Sequence, residues 1–253
     1  MSTPFLSIII PAFNEEKRLY ISLKQVSEYL NNQSYSSEIL VIENGSNDNT
    51  WRIGEDFAAS WNDKNINGYP LIQVLQETKR GKGLAVKRGM LAARGDYRFM
   101  CDIDFSMPIT EIDRFFPPAL NNFDIAIASR ETAGAVRYNE PPYRHFVGRI
   151  FNTLIRLLAL PGLQDTQCGF KCFRASIADD LFNFQSITGW SFDVEVLYVA
   201  RKRGYRTIEI PIPWYFNPDS KISVLNDSFQ MALDLFRIRI NEQRGLYASQ
   251  NQS

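Results

Sequence analysis

Tyr97-Arg98-Phe99-Met100-Cys101-Asp102-Ile103-Asp104 is the stretch on which the fold turns. Its first five residues read as a strand, and side chains alternate faces along a strand. Asp102 and Asp104 therefore share one side where the strand opens into a loop. Two carboxylates there repel each other unless a proton or a cation lies between them. A hard divalent cation carrying substrate phosphates resolves the repulsion. A solvated acidic turn is the plainer reading of the same residues.

Outward from this strand the chain alternates apolar runs with helical patterns. Strands are expected at Leu6–Ile10, Glu38–Ile42, Leu71–Leu75 and Asp124–Ala128, with helices over about 15–30, 50–61, 82–94 and 111–120. The alternation predicts an α/β fold, a mostly parallel sheet with helices on both faces. Ligands of such sheets bind beyond the carboxyl ends of the strands, so the informative loops follow Ile10, Ile42, Leu75, Cys101 and Ala128. Past Ala128 a polar loop (129–142) precedes an amphipathic helix over about 143–160, then an apolar piece at 169–173. A helix near 193–203, a strand near 207–212 and a last helix over about 224–244 complete the pattern. One domain with a decorated second half is the expectation.

Composition sets bounds. The 253 residues are 45% hydrophobic and 22% charged with a formal net charge of +0, which gives no global signal for nucleic acid. Between residues 130 and 156 five arginines (130, 137, 144, 149 and 156) stand against Glu131 and Glu140, a local net of +3. The cysteines (Cys101, Cys168, Cys172) lack secretory spacing, which fits a reducing compartment. With one His and no second Cys pair, Cys168 and Cys172 do not read as a zinc site. No signal peptide is legible, and the best apolar stretch, Phe151–Leu160, is too short to cross a bilayer. A cytoplasmic protein, soluble or peripheral on the cytoplasmic membrane face, is expected.

The loops carry chemistry in a fixed order. Pro11-Ala12-Phe13-Asn14-Glu15-Glu16 follows the first strand, where Asn14 also suits a helix cap. Glu43-Asn44-Gly45-Ser46-Asn47-Asp48-Asn49-Thr50 follows the second, with an acid at the strand end able to accept from a base or ribose hydroxyls. A Gly-x-Gly-x-x-Gly turn is absent, which argues against a nicotinamide cofactor. Arg80-Gly81-Lys82-Gly83 opens a helix and reads either as an anion site or as a flexible turn. Taken with Asp102-Ile103-Asp104, this series resembles the inverting nucleotide-sugar glycosyltransferases of family 2, which have a GT-A fold. Asp165-Thr166-Gln167-Cys168-Gly169-Phe170-Lys171-Cys172-Phe173, Trp190-Ser191-Phe192-Asp193-Val194-Glu195 and Ser220-Lys221-Ile222-Ser223-Val224 resemble the dolichyl-phosphate β-glucosyltransferase branch.

The resemblance implies a single GT-A domain, with a nucleotide-sugar half over about 5–128 and an acceptor half over about 129–245. It implies Pro11, Asn14, Glu15 and Glu43 beside the nucleotide, Lys82 near the diphosphate, and Asp102 and Asp104 holding Mg²⁺ or Mn²⁺. Asn44 stands where the family often has a second acid, and Phe105 and Met107 stand where smaller residues are commoner. The implied reaction moves a hexose, glucose first, from UDP-glucose to a polyprenyl or dolichyl phosphate. That acceptor is already anionic and needs cations rather than a base, for which Arg130, Arg137, Arg144 and Lys221 are candidates. The resemblance also puts Asp165 near the reacting centre, orienting the sugar or an arginine or acting as base; Asp193 and Glu195 also suit a helix start. Transfer to a sugar hydroxyl, and a non-catalytic nucleotide-sugar-binding domain, are the competing readings. The apolar face of the helix from Tyr143 fits core packing better than a membrane surface, and both stay open.

Overall fold

The apolar runs fold as strands because a Val/Ile/Leu stretch covered on both sides can bury every residue. The computed structural model describes residues 3–65, 68–104, 106–218 and 224–248, with the side chains of 144, 146, 147, 151 and 224–229 left aside. Among these residues β1 (Leu6–Ala12), β2 (Ser37–Glu43), β3 (Leu71–Gln76), β4 (Tyr97–Cys101), β5 (Ile125–Ser129), β7 (Phe170–Arg174) and β8 (Thr207–Pro211) form one sheet in the order β3-β2-β1-β4-β7-β5-β8. Only β7 runs antiparallel, between β4 and β5, with Cys101 opposite Phe170. β7 thereby starts at the edge where its neighbours end. A short parallel pair, β6 (Val136–Tyr138) with β9 (Pro213–Tyr215), lies outside the main sheet.

Alternation along β1 divides the core. Leu6, Ile8 and Ile10 pack with Leu19, Leu23 and Phe57 of α1 (Leu19–Asn31) and α2 (Thr50–Lys64) on one face. Ile9 faces the other layer, with Val86 and Met90 of α3 (Lys82–Ala92), Phe182 of α5 (Ala175–Phe184) and Leu197 of α6 (Phe192–Lys202). Glu38, inside an apolar run, is buried by partners: Ser7 Oγ donates at 2.7 Å, and Arg94 donates its backbone N–H at 2.7 Å and Nη2 at 2.7 Å. It lies at the strand starts, away from the ligand edge.

Three expectations are corrected. The first helix begins at Leu19 rather than near 15, because Asn14 turns the chain at φ 51 and Thr50 Oγ1 accepts the Glu15 N–H at 2.7 Å. Asn14 is therefore not a helix cap. The helix expected over 111–120 is a 3₁₀ segment, Ile109–Phe115, after which extended Phe116 precedes Pro117 and Pro118. Proline disfavours helix in the residue before it and cannot donate inside one. The third concerns α4 (Pro142–Leu158). Ile155 is buried, but Ile150, Leu154, Leu157 and Leu158 are exposed, so its apolar face does not pack on the sheet. α4 lies beside α7 (Val224–Gln243), whose Leu233, Phe236 and Ile240 are also exposed.

Candidate active site

Five parallel strands, β1 to β5, and the start of β7 deliver the predicted residues to one edge. Asp102 follows β4, and its N–H donates to Gly169 O at 3.2 Å, which locks the acidic loop to the head of β7. A Cβ on Gly169 would lie 2.0 Å from Asp102 Oδ2, so glycine is what leaves room for that carboxylate. Asp104 accepts the Ser106 N–H at 3.1 Å. Burial, and then the Asp102 charge, push the Asp104 carboxyl above the ordinary carboxylate range.

Lys82, the first residue of α3, supplies the cation nearest this pair. Its Nζ lies 2.7 Å from Asp102 Oδ1 and 2.9 Å from Oδ2, and 5.0 Å from the centre of the Trp190 ring. Burial works to lower the ammonium, but Asp102, Asp193 and Asp104 outweigh it and hold it above the usual lysine value. The preceding Gly81 has φ 149, and a Cβ there would meet Thr188 O at 2.4 Å. The glycine thus sets the approach of this loop to the segment before α6.

Asp193 opens α6 and is buried against Lys171 of β7, with Nζ to Oδ1 at 3.0 Å. Burial raises the Asp193 carboxyl, Lys171 and Lys82 offset part of that, and Asp102 adds to it. Asp102, Lys82, Asp193 and Lys171 therefore make an alternating row of charges behind the acidic loop. Sequence reasoning passed over Lys171 and gave Asp193 only a helix-start role. Glu195 faces elsewhere, holding Ser186 N–H at 2.9 Å, Ile187 N–H at 2.7 Å and Tyr247 OH at 2.7 Å.

The first two loops are tied to each other. Ser46 Oγ accepts the Asn14 N–H at 2.9 Å, and Asn14 Oδ1 accepts the Asn47 N–H at 2.8 Å. The Glu15 carboxylate takes Arg18 Nη2 at 2.9 Å, and Glu43 is buried at the end of β2 with Ser46 N–H and Gln76 Nε2 on it. Pro11 sits half-buried within β1, level with Ile42. Asn44 is a clamp: Nδ2 donates to Lys79 O at 2.6 Å and Glu77 O at 3.3 Å, while Oδ1 accepts Gly81 N–H at 2.8 Å. It joins the β2 loop to the loop bearing Lys82, a role with no sequence signal.

A second charged cluster is built around Asp165, which is fully buried. Arg130 donates its backbone N–H at 2.9 Å and Nε at 2.6 Å to Oδ2, and Nη2 at 2.9 Å to Oδ1. Burial alone would raise this carboxyl; the Arg130 charge and hydrogen bonds reverse that and bring it down to about 2. A carboxylate so stabilised orients the arginine and is a poor proton acceptor at neutral pH. The Arg130 and Arg137 guanidiniums lie 5.5 and 5.7 Å from the Trp214 ring. Arg137 is already paired with Glu131 and with Glu140 at 2.7 Å, so it is not a solvated basic side chain. Arg144 lies in α4 with its side chain, like all of Lys221, outside the described residues.

The donor set suits a hard cation. Asp102 and Asp104 offer oxygen ligands from one strand end, and the repulsion that Asp102 adds to burial in raising the Asp104 carboxyl is one that a cation would relieve. Among the described residues no cluster of three or more His, Cys, Asp or Glu side chains converges there or elsewhere.

Comparison with known proteins gives the family and the fold. The family described as Glycosyl transferase family 2 matches residues 7–182. A dolichyl-phosphate beta-glucosyltransferase of Trichomonas vaginalis is 34% identical over 258 residues, covering 97% of this chain and 74% of that one. The dolichyl-phosphate beta-glucosyltransferase of Saccharomyces cerevisiae is 30% identical over 261 residues, covering 96% and 76%. Among solved structures, glucosyl-3-phosphoglycerate synthase of Mycobacterium tuberculosis with Mn²⁺, uridine-diphosphate-glucose and phosphoglyceric acid superposes with a TM-score of 0.67 at 15% identity, covering 93% of this chain and 79% of that one. At that identity the likeness is one of fold, a GT-A fold.

Proposed function

The chain belongs to glycosyl transferase family 2, and we propose that it transfers glucose from UDP-glucose to a dolichyl or polyprenyl phosphate, inverting the anomeric carbon. Relatives at 30–34% identity that bear the name dolichyl-phosphate beta-glucosyltransferase support the sugar and the acceptor. The observation that carries the acceptor chemistry is the Asp165–Arg130 pair. An acid at about 2 makes a poor base, and a phosphate acceptor needs none. It needs a fixed cation to hold its oxygen in line, and Arg130 is a guanidinium fixed by Asp165 beside Trp214.

In this reading Pro11, Asn14 and Glu43 line the nucleotide, Glu15 sets Arg18, and Lys82 meets the diphosphate. Asp102 and Asp104 would hold Mg²⁺ or Mn²⁺, whose charge would stabilise the departing diphosphate. The acceptor phosphate approaches the opposite face of the sugar with Arg130 on it. Arg137 adds charge only if Glu131 or Glu140 lets go.

The exposed helices suit a peripheral membrane contact. Leu157 is 76% and Phe236 is 63% exposed, on the outer faces of α4 and α7. α4 carries Arg149 and Arg156 and no acid, a charge pattern that complements anionic headgroups. Among the described residues no helix is long and apolar enough to cross a membrane. A bilayer meeting this face would bring the lipid phosphate to the acceptor side. The test is incorporation of label into the organic phase from UDP-glucose, GDP-mannose or UDP-N-acetylglucosamine, with polyprenyl phosphate and Mg²⁺ or Mn²⁺. UDP-glucose alone as donor supports the assignment, and another donor replaces it.

A further inference from the structure

Lys82 places its ammonium on both oxygens of Asp102, at 2.7 and 2.9 Å. Asp102 is one of the two carboxylates assigned above to a divalent cation. An ammonium and a metal ion on the same carboxylate repel each other at contact distance. One of them must yield.

The surroundings determine which one can move. Lys82 hangs from the first turn of α3 by a flexible four-carbon stem, whereas Asp102 is fixed through its backbone to Gly169. The ring of Trp190 gives the ammonium a second favourable surface at 5.0 Å. Charge gives the reason to move. Asp102, Asp104 and Asp193 stand against Lys82 and Lys171, leaving a net of −1. Arg18, which also acts on Asp104, is paired with Glu15 and leaves that sum unchanged. A divalent cation added to this set makes it +1, and a nucleoside diphosphate then returns it to negative.

We propose that Lys82 is a tethered counter-ion that competes with the divalent cation for Asp102, and that a nucleoside diphosphate relieves the competition by offering the ammonium a second anion. The inference rests on Asp102 and Asp104 being the metal pair. Lys82 then has two tasks: it neutralises the empty carboxylate, and it couples cation binding to nucleotide binding. By linkage the coupling is reciprocal, so cation and nucleotide tighten each other by the same factor.

The test is Mn²⁺ affinity, read from the free-ion electron paramagnetic resonance signal, with and without UDP. Wild type, Lys82→Met, Lys82→Arg, Asp102→Asn and the Lys82→Met/Asp102→Asn double variant are compared. Without UDP, Lys82→Met binds Mn²⁺ about fivefold or more tightly than wild type, the lower end of ordinary inter-site coupling. UDP then strengthens Mn²⁺ binding less in Lys82→Met than in wild type. Lys82→Arg keeps the charge and stays near wild type, and the gain of Lys82→Met disappears in the double variant. Equal or weaker Mn²⁺ binding by Lys82→Met without UDP overturns the proposal, as does an undiminished effect of UDP. Mn²⁺ binding with UDP that is unaffected by Asp102→Asn instead overturns the metal assignment beneath it, a separate outcome.

Discussion

Asp165 and Arg130 are joined by both carboxylate oxygens: Nε meets Oδ2 at 2.6 Å and Nη2 meets Oδ1 at 2.9 Å, with the Arg130 backbone N–H also on Oδ2 at 2.9 Å. Gln164 and Asp165 N–H groups in turn donate to Glu209 at 2.8 and 2.9 Å, fixing the segment from β8. The Arg130 guanidinium is thus held in one orientation from both β5 and β8.

This pair has a pH signature. The Asp165 carboxyl falls from an ordinary 3.8 to about 2 on folding. A depressed folded value contributes stability above the unfolded value and loses it as pH falls through the folded one. Its share, about 2 kcal/mol, is complete above about pH 4 and fades toward pH 2. Asp165→Asn melts lower at pH 7 and loses less stability than wild type between pH 4 and pH 2. Parallel melting profiles for the two proteins would contradict the pairing.

Asp104 makes the opposite prediction for stability. Its carboxyl is raised by burial and by Asp102, so its charge is unfavourable in the folded protein. Asp104→Asn removes that repulsion and melts at or a few degrees above the wild-type temperature. Transfer falls by about 10²-fold or more, as expected when a metal ligand worth several kcal/mol is lost. A marked fall in melting temperature, or retained transfer, would contradict this account.

Gly169 reaches the chemistry through Asp102. A Cβ would lie 2.0 Å from Oδ2 and 2.3 Å from Cγ, so alanine forces the carboxylate to turn. Gly169→Ala should weaken Mn²⁺ binding in the presence of UDP and lower kcat by at least about tenfold, one unit of 1.4 kcal/mol in the barrier. Unchanged Mn²⁺ affinity in the variant would rule this out.

The outer faces of α4 and α7 separate binding from folding. Leu157 and Phe236 are 76% and 63% exposed, so Leu157→Glu with Phe236→Glu costs little stability, within about 0.5 kcal/mol per site. Sedimentation with vesicles of anionic phospholipid should fall several-fold, while turnover of a short, water-soluble polyprenyl phosphate is kept. Undiminished sedimentation would remove these faces from the membrane contact.

The parts of this site that sit at strand ends were legible in the sequence. Asp102 and Asp104 close an apolar run, and Glu43 and Lys82 occupy the loops that a parallel sheet puts on the same edge. What needed the structure was pairing across the fold. Lys171 meets Asp193 only because β7 inserts antiparallel between β4 and β5, and local sequence carries no sign of it. Asn44 looks like any turn residue until its amide is seen on the backbone of residues 77, 79 and 81. Periodicity could not place the α4 face either, since 150, 154, 157 and 158 form one stripe whether covered by a sheet or open. The helix α5 follows β7 without a break and had no capping residue to announce it.

The most direct measurement offers the protein UDP-glucose and Mg²⁺ with two lipids of equal chain length, a polyprenyl phosphate and the corresponding polyprenol. The account predicts a lipid-linked glucosyl phosphate of inverted configuration from the phosphate and no product from the alcohol. Glucose transferred to the alcohol, or retained configuration in the phosphate product, would contradict it.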